Sequence, residues 1–219
     1  MIDIKNWKEF CLGDLFDIKK GTGFGLKNLP EGSTPLISAT TKNNSIVAYT
    51  DVEPIFPSNT ITVTTDGAGM GYATVQTEAF DIASNAVALI PKNNNVGLYA
   101  KFFICSVIRQ YANRFSYKDK MNRGQLLQLL IKLPVTSDGQ PDWDYMEFYM
   151  KKVMEETEEY IRIVGGGTPL KSILLMLASG VSSELVIYLL TNLCVYMVAI
   201  KNGKKTKTPQ KSPYPLSVG

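Results

Sequence analysis

The chain has 219 residues, enough for one ordinary domain plus an appendage, and its 45% apolar and 20% charged content is that of a globular protein with a real core. It contains no histidine, which excludes a Ser-His-Asp or Cys-His nucleophile and any imidazole-ligated zinc site. The formal charge of +3 is unevenly placed: residues 1–160 hold 16 Lys and Arg against 19 Asp and Glu, and residues 161–219 hold 7 against 1.

In chain order, "WKEFCLGDLFDIKK" (7–20) is a short helix or strand lead-in with Phe10, Leu12, Leu15, Phe16 and Ile18 apolar. "GTGFG" is a loop, "TPLISAT" a short strand stopped by polar residues, and "SIVAYTD" an alternating strand. "NTITVTTDGAGMGYATVQTEAF" predicts two strands around a glycine loop, and Thr60, Thr62 and Thr64 alternating with Ile61 and Val63 give the period of a half-buried strand. "ASNAVALIPKNNN" is a further strand. "VGLYAKFFICSVIRQYANRFS" has helical spacing, with Leu98, Phe102, Cys105, Ile108 and Tyr111 or Ala112 on one face. "GQLLQLLIKLPV" ends in a strand at Ile131–Pro134 and "TSDGQPDW" is a turn. A charged helix starts at Trp143. Its Tyr145, Phe148 or Tyr149, Lys152, Glu155 or Glu156 and Glu159 or Tyr160 mix apolar and charged positions, as on an exposed helix with one packing stripe.

Several stretches carry recognition chemistry. Gly21, Gly23 and Gly25 are spaced GxGxG rather than GxGxxG, with no βαβ unit and downstream acid, so a nucleotide fingerprint is disfavoured. A loop that carries Lys19, Lys20, Thr22 and Lys27 to a phosphate backbone competes with a plain surface loop. In "SATTKNN", asparagine can pair bidentately with adenine and Thr or Ser with base edges or phosphates; a strand end with an Asx turn explains the same residues. "GAGMG" (67–71) allows close approach to a ligand or simply closes a wide hairpin. Arg114, Lys118, Lys120 and Arg123, interleaved with Phe115 and Tyr117, suit a nucleic-acid backbone or a solvated loop. From Lys101 to Arg123 six basic residues face one acid, whereas Asp138 to Glu159 holds eight acids and two lysines, which implies two different partners. Asp14, Asp17, Asp66 and Asp81 are isolated, no nuclease-like carboxylate cluster forms, and no NPPY-type methylation tetrad is present. Cys11, Cys105 and Cys194 are scattered, as reduced cytosolic thiols are, and no signal peptide opens the chain, so a cytoplasmic location is expected.

Taken together, residues 7–163 resemble one target recognition domain of the type I restriction-modification specificity subunit. The resemblance rests on the order and spacing of "WKEFCLGDLFDIKKGTG", "TPLISATTKNNSI", "FDIASNAVALIPK", "FSYKDKMNRGQLLQLLIKLPV" and "SDGQPDWDYMEFYMKKVMEE". It implies a non-catalytic subunit that reads one half of a split sequence in double-stranded DNA and docks an adenine methyltransferase subunit and a restriction/translocase subunit. It also implies that S-adenosylmethionine, ATP and magnesium serve those partners and that this chain binds no cofactor. Full subunits of this kind carry two recognition domains and two helical spacers, so self-association through the spacer helix is a further implication for a chain with one.

The expected fold is α+β: a mixed, mostly antiparallel twisted β-sheet with flanking helices in residues 1–140, the start of a spacer helix in 141–163, and an atypical tail in 164–219. That tail turns apolar and then basic, and reads as a frame-shift product, a membrane anchor or a partner-packing hairpin; Leu185–Ile200 with Asn192 inside falls short of the roughly 20 residues a span needs. Expected DNA contacts are Lys19, Lys20, Thr22, Thr40, Lys42, Asn43, Asn44, Lys118, Lys120 and Arg123. The alternatives are the recognition portion of a fused type II restriction-methylation enzyme and a membrane-attached adaptor.

Overall fold

The computed structural model describes residues 4–23, 25, 29–67, 69–112, 115 and 120–164, with side chains described up to residue 158. Lys118 and the tail beyond Val164 therefore lie outside the described residues. The elements run β1 (Lys8–Cys11), α1 (Leu12–Leu15), β2 (Phe16–Lys19), β3 (Glu31–Ile37), a 3-10 turn (Asn43–Ser45), β4 (Ile46–Thr50), β5 (Thr60–Thr64), β6 (Ala73–Gln76), β7 (Asp81–Ile82), β8 (Ala86–Pro91), α2 (Leu98–Tyr111), α3 (Arg123–Leu127), β9 (Leu130–Leu133) and α4 (Trp143–Val164). This is the expected α+β arrangement, but the described strands separate into three sheets.

The four-stranded sheet, ordered β2-β8-β5-β6, is antiparallel throughout. A second sheet, β4-β3-β7, pairs β3 with β4 antiparallel and with β7 parallel. In the third, β1 pairs with β9, with Phe10 opposite Ile131, and so ties the entry of the domain to its exit.

The larger sheet is covered on both faces, and β5 shows how. Its Ile61 and Val63 join α2 and α4 in the main core, together with Val87 and Leu89 of β8. Ala86 and Ala88 of β8 point the other way and pack with Ile37, Phe56, Phe80 and Ile82 in a smaller core under the second sheet. Thr60, Thr62 and Thr64 are buried too, so β5 is not the half-buried strand that its alternation predicts. Alternation sorts residues to two faces but does not say that one face is wet; here Thr62 and Thr64 stand beside Ala88 and Ala86, on the side that the smaller core covers.

Helix α2 buries Ala100, Phe102, Phe103, Ile104, Cys105, Val107 and Ile108. Phe103 lies between Trp7, at 5.7 Å between centroids, and Tyr149 of α4, at 6.1 Å edge-on. Helix α4 starts where expected because Asp142 accepts the Tyr145 N–H at 2.9 Å, an N-terminal cap directly after Pro141. Its packing stripe runs through Met146, Met150, Met154 and Thr157, all buried, leaving Lys151, Lys152, Glu155 and Glu156 in solvent as i,i+4 pairs at 4.0 and 3.8 Å. Among the described residues, no helix is long and apolar enough to cross a membrane.

Candidate nucleic-acid interface

Five loops meet at one edge of the domain, around the β7–β8 turn. The basic loop after β2 is pinned there: Thr22 donates its N–H (3.2 Å) and its hydroxyl to the buried carboxylate of Asp81, and the Gly23 N–H reaches the Ile82 carbonyl at 3.2 Å. Gly21 sits so close to Ile82 that a Cβ would overlap its backbone, which is why glycine is needed at this position. Lys19 and Lys20 remain exposed. Arg123, the first residue of α3, donates Nε to the Ile18 carbonyl at 2.7 Å and so adds its guanidinium to the end of β2. Helix α3 is fixed by a capping box in which Asn122 and Gln125 exchange side-chain and backbone bonds.

The second loop leaves β3 and is stapled to itself. The Lys42 N–H donates to Thr40 Oγ1 at 3.1 Å, the Ser45 hydroxyl donates to the Thr40 carbonyl at 2.7 Å, and the Ser45 N–H donates to the Lys42 carbonyl at 2.9 Å. Asn43, Asn44 and Ser45 are all left-handed, with φ of 46, 53 and 65°. Such a conformation costs an L-residue on the order of 1 kcal/mol, least for asparagine. Lys42 and Asn43 point to solvent. Asn44 does not: it is 6% exposed and its amide is fully bonded inside the protein. The expectation that Asn44 contacts DNA directly is corrected accordingly. Thr22 stays exposed while its N–H and hydroxyl are both bonded to Asp81, so it holds the loop whose lysines face out.

The glycine loop after β5 lies against both neighbours. Gly69 abuts Thr41, where a Cβ would come within 2.7 Å of Thr41 Cγ2. Gly67 and Gly71 adopt φ of 74 and 79°, and the Gly71 N–H closes on the Thr64 carbonyl at 2.8 Å. From the opposite side, Lys120 Nζ pairs with Asp66 Oδ2 at 2.8 Å and the Met121 N–H meets Met70 Sδ at 3.0 Å. Lys120 therefore reaches the edge already partnered. Its ammonium, together with the Gly67 N–H, holds the Asp66 carboxyl below the usual carboxylate range.

The β7–β8 turn completes the cluster. The Ala83 N–H donates to the Ile37 carbonyl at 2.8 Å, the Ser38 hydroxyl to the Ser84 carbonyl at 3.1 Å, and the Thr65 N–H to the Asn85 carbonyl at 2.8 Å. This turn and the anchoring role of Asp81 are what sequence reasoning misses, since Asp81 there is only an isolated acid. The edge thus gathers Lys19, Lys20, Thr40, Lys42, Asn43, Lys120 and Arg123 from three segments. Among the described residues no group of three or more His, Cys, Asp or Glu could hold a metal ion. A surface of lysine, arginine, amide and hydroxyl groups on stapled loops suits phosphates and base edges.

Comparison with known proteins agrees. Residues 4–163 match the family described as the type I restriction modification DNA specificity domain. Over 154 residues the chain is 28% identical to the type II restriction enzyme specificity subunit S.BcgI of Heyndrickxia coagulans, covering 68% of this chain and 43% of that protein. The S subunit of a type I restriction-modification system from M. genitalium shares the fold with a TM-score of 0.51 at 16% identity, covering 74% of this chain and 43% of that one. The HsdS subunit from Thermoanaerobacter tengcongensis does so with a TM-score of 0.51 at 13% identity, covering 91% and 46%. This chain spans less than half the length of each of these relatives. With the family matched across most of its length, the chain belongs to the type I restriction-modification DNA specificity domain family.

Proposed function

We propose that this chain is the DNA-reading element of a restriction-modification system, recognising one half of a bipartite duplex target. The observation that carries the reading is the single edge at which the basic loop, the Thr40–Asn43 loop, the glycine loop and the Lys120–Arg123 segment come together. Lysines and Arg123 supply phosphate contacts, and Thr40 and Asn43 supply groups able to read bases. Lys118 belongs to the same basic segment in sequence. The chain breaks no bond itself and binds no cofactor; methylation and cleavage, with S-adenosylmethionine, ATP and magnesium, belong to an adenine methyltransferase subunit and a restriction/translocase subunit. Helix α4, acidic and far from the basic edge in sequence, is the docking element for those subunits and for a second copy of the chain. The domain division follows: residues 1–140 read DNA, 141–163 begin the spacer, and 164–219 are the stretch whose sequence turns apolar and then basic.

The test is enrichment of duplexes from a pool with a randomised stretch, by the full chain alone and with its methyltransferase subunit. A single short motif in the enriched pool supports the reading; a pool that stays random with both preparations contradicts it. A second reading, the specificity part of a type II enzyme, is favoured by the similarity to S.BcgI. Co-purification with one protein that both methylates and cleaves, and without a separate translocase, separates the two.

A further inference from the structure

The buried face of the Thr40–Ser45 loop holds a polar network that direct DNA contact does not use. Asn44 donates from Nδ2 to the Val75 carbonyl at 3.1 Å and to Gln76 Oε1 at 3.2 Å, and accepts from the Thr74 hydroxyl at Oδ1. Because Val75 offers only a carbonyl there, the amide nitrogen must face it, and the amide orientation is fixed. Gln76 in turn donates from Nε2 to the Asn44 carbonyl at 3.0 Å and to Thr62 Oγ1 at 2.9 Å. Asn44, Thr62, Thr74 and Gln76 are all buried, with exposures of 6, 1, 2 and 2%. Every polar atom of the Asn44 amide is therefore used. The bonds run from the loop to β6 and on to β5, an interior strand of the four-stranded sheet.

We infer that Asn44 is a positioning residue for sequence discrimination: its network with Thr74, Gln76 and Thr62 fixes the left-handed path of Asn43–Ser45 and so sets where Thr40, Lys42 and Asn43 stand. The inference rests on the DNA-reading function proposed above. Asn43 carries the exposed amide that suits an adenine edge, holding only a long 3.4 Å bond to the Ile46 carbonyl. Its reach depends on backbone angles that few residues adopt. A loop without the network keeps its charge but samples several shapes. Phosphate contact tolerates that spread, because a lysine on a flexible stem can follow the backbone. Base readout does not, because a bidentate pair needs one geometry. The buried network thus separates the two components of binding, and that separation is what distinguishes positioning from general stabilisation. A destabilised domain loses specific and non-specific binding together.

The experiment uses the full chain and two variants, Asn44→Gly and Thr74→Val. Glycine keeps the left-handed backbone without strain and removes the whole side-chain network; valine keeps the shape of Thr74 and leaves Asn44 Oδ1 without its donor. Binding is measured to the duplex enriched by the wild type and to a scrambled duplex, each across a salt series. The expected result is that Asn44→Gly lowers the preference for the enriched duplex about tenfold or more, the effect of losing one base contact, with scrambled-duplex affinity and salt slope unchanged. Thr74→Val produces the same pattern in smaller degree. If Asn44→Gly does not fold, Thr74→Val decides alone. Folded variants that keep the wild-type preference overturn the inference while leaving DNA reading intact. A wild type that enriches no sequence overturns both.

Discussion

The carboxylate of Glu147, on α4, accepts the backbone N–H of Ala100 at the start of α2, at 2.7 Å. Helix α2 has no side-chain cap of its own, because its N-cap is Gly97. Helix α4 therefore completes the N-terminus of the main core helix, where the helix dipole also favours an anion. Helices α2 and α4 are joined by this bond, by the Phe103–Tyr149 contact and by the methionine stripe.

Removing that cap should loosen the joint. Glu147→Ala is expected to lower stability by about 1 kcal/mol, the usual cost of losing a cap. Gly97→Ala should act on the same bond, since a Cβ at Gly97 overlaps the Glu147 carboxylate and displaces it. The two changes together should cost less than their sum, and a double-mutant cycle by denaturant unfolding checks this.

Gly21→Ala should harm the basic loop more than its size implies. The added methyl meets backbone atoms of Ile82, which cannot step aside as a side chain would. The loop must shift, straining the Thr22–Asp81 bonds. A destabilisation of about 1–3 kcal/mol is expected, with weaker DNA binding, measured by thermal unfolding and anisotropy titration.

The Asp66–Lys120 pair gives a pH signature. The Asp66 carboxyl titrates lower in the folded protein than in the unfolded chain, chiefly through its hydrogen bond with Lys120 and then that with the Gly67 N–H. Whatever stability the pair contributes is then complete above the ordinary carboxylate value and fades as pH falls through the lower, folded value. A carboxyl NMR titration should place Asp66 below the ordinary value in the wild type, and Lys120→Ala should move it upward. An unchanged midpoint in that variant would show that the two loops are not joined through this pair.

Much of this architecture is legible in the sequence. The positions of the strands, the glycine hairpin at 66–71 and the start of α4 after Pro141 and Asp142 are local signals, and the structure follows them. The resemblance likewise points to the right family. What sequence conceals is partnership across distance. Asn44 and Asn43 are the same residue type side by side, yet one is buried and bonded to residues 30 and 32 positions away while the other faces solvent. Nothing local distinguishes them. Asp81 is similar: an isolated acid in sequence becomes the anchor of Thr22, 59 residues earlier, once β7 lies beside β3. Threonines on β5 look like a wet face, yet all three are buried: Thr62 is bonded to Gln76, and Thr60 and Thr64 to the carbonyls of Pro57 and Gly69, partners that no period reveals.

The central claim is that the loop edge binds DNA through its free lysines, and one titration addresses it directly. Binding of the full chain to duplex DNA is followed across a salt series, for the wild type and for Lys19→Ala/Lys20→Ala/Lys42→Ala. All three lysines are exposed, so their loss should leave the fold intact. The account predicts weaker binding and a plot of log affinity against log salt that is shallower by about 3, near one counterion for each lysine. Unchanged affinity with an unchanged slope would contradict it, and would place the DNA surface elsewhere or nowhere on this domain.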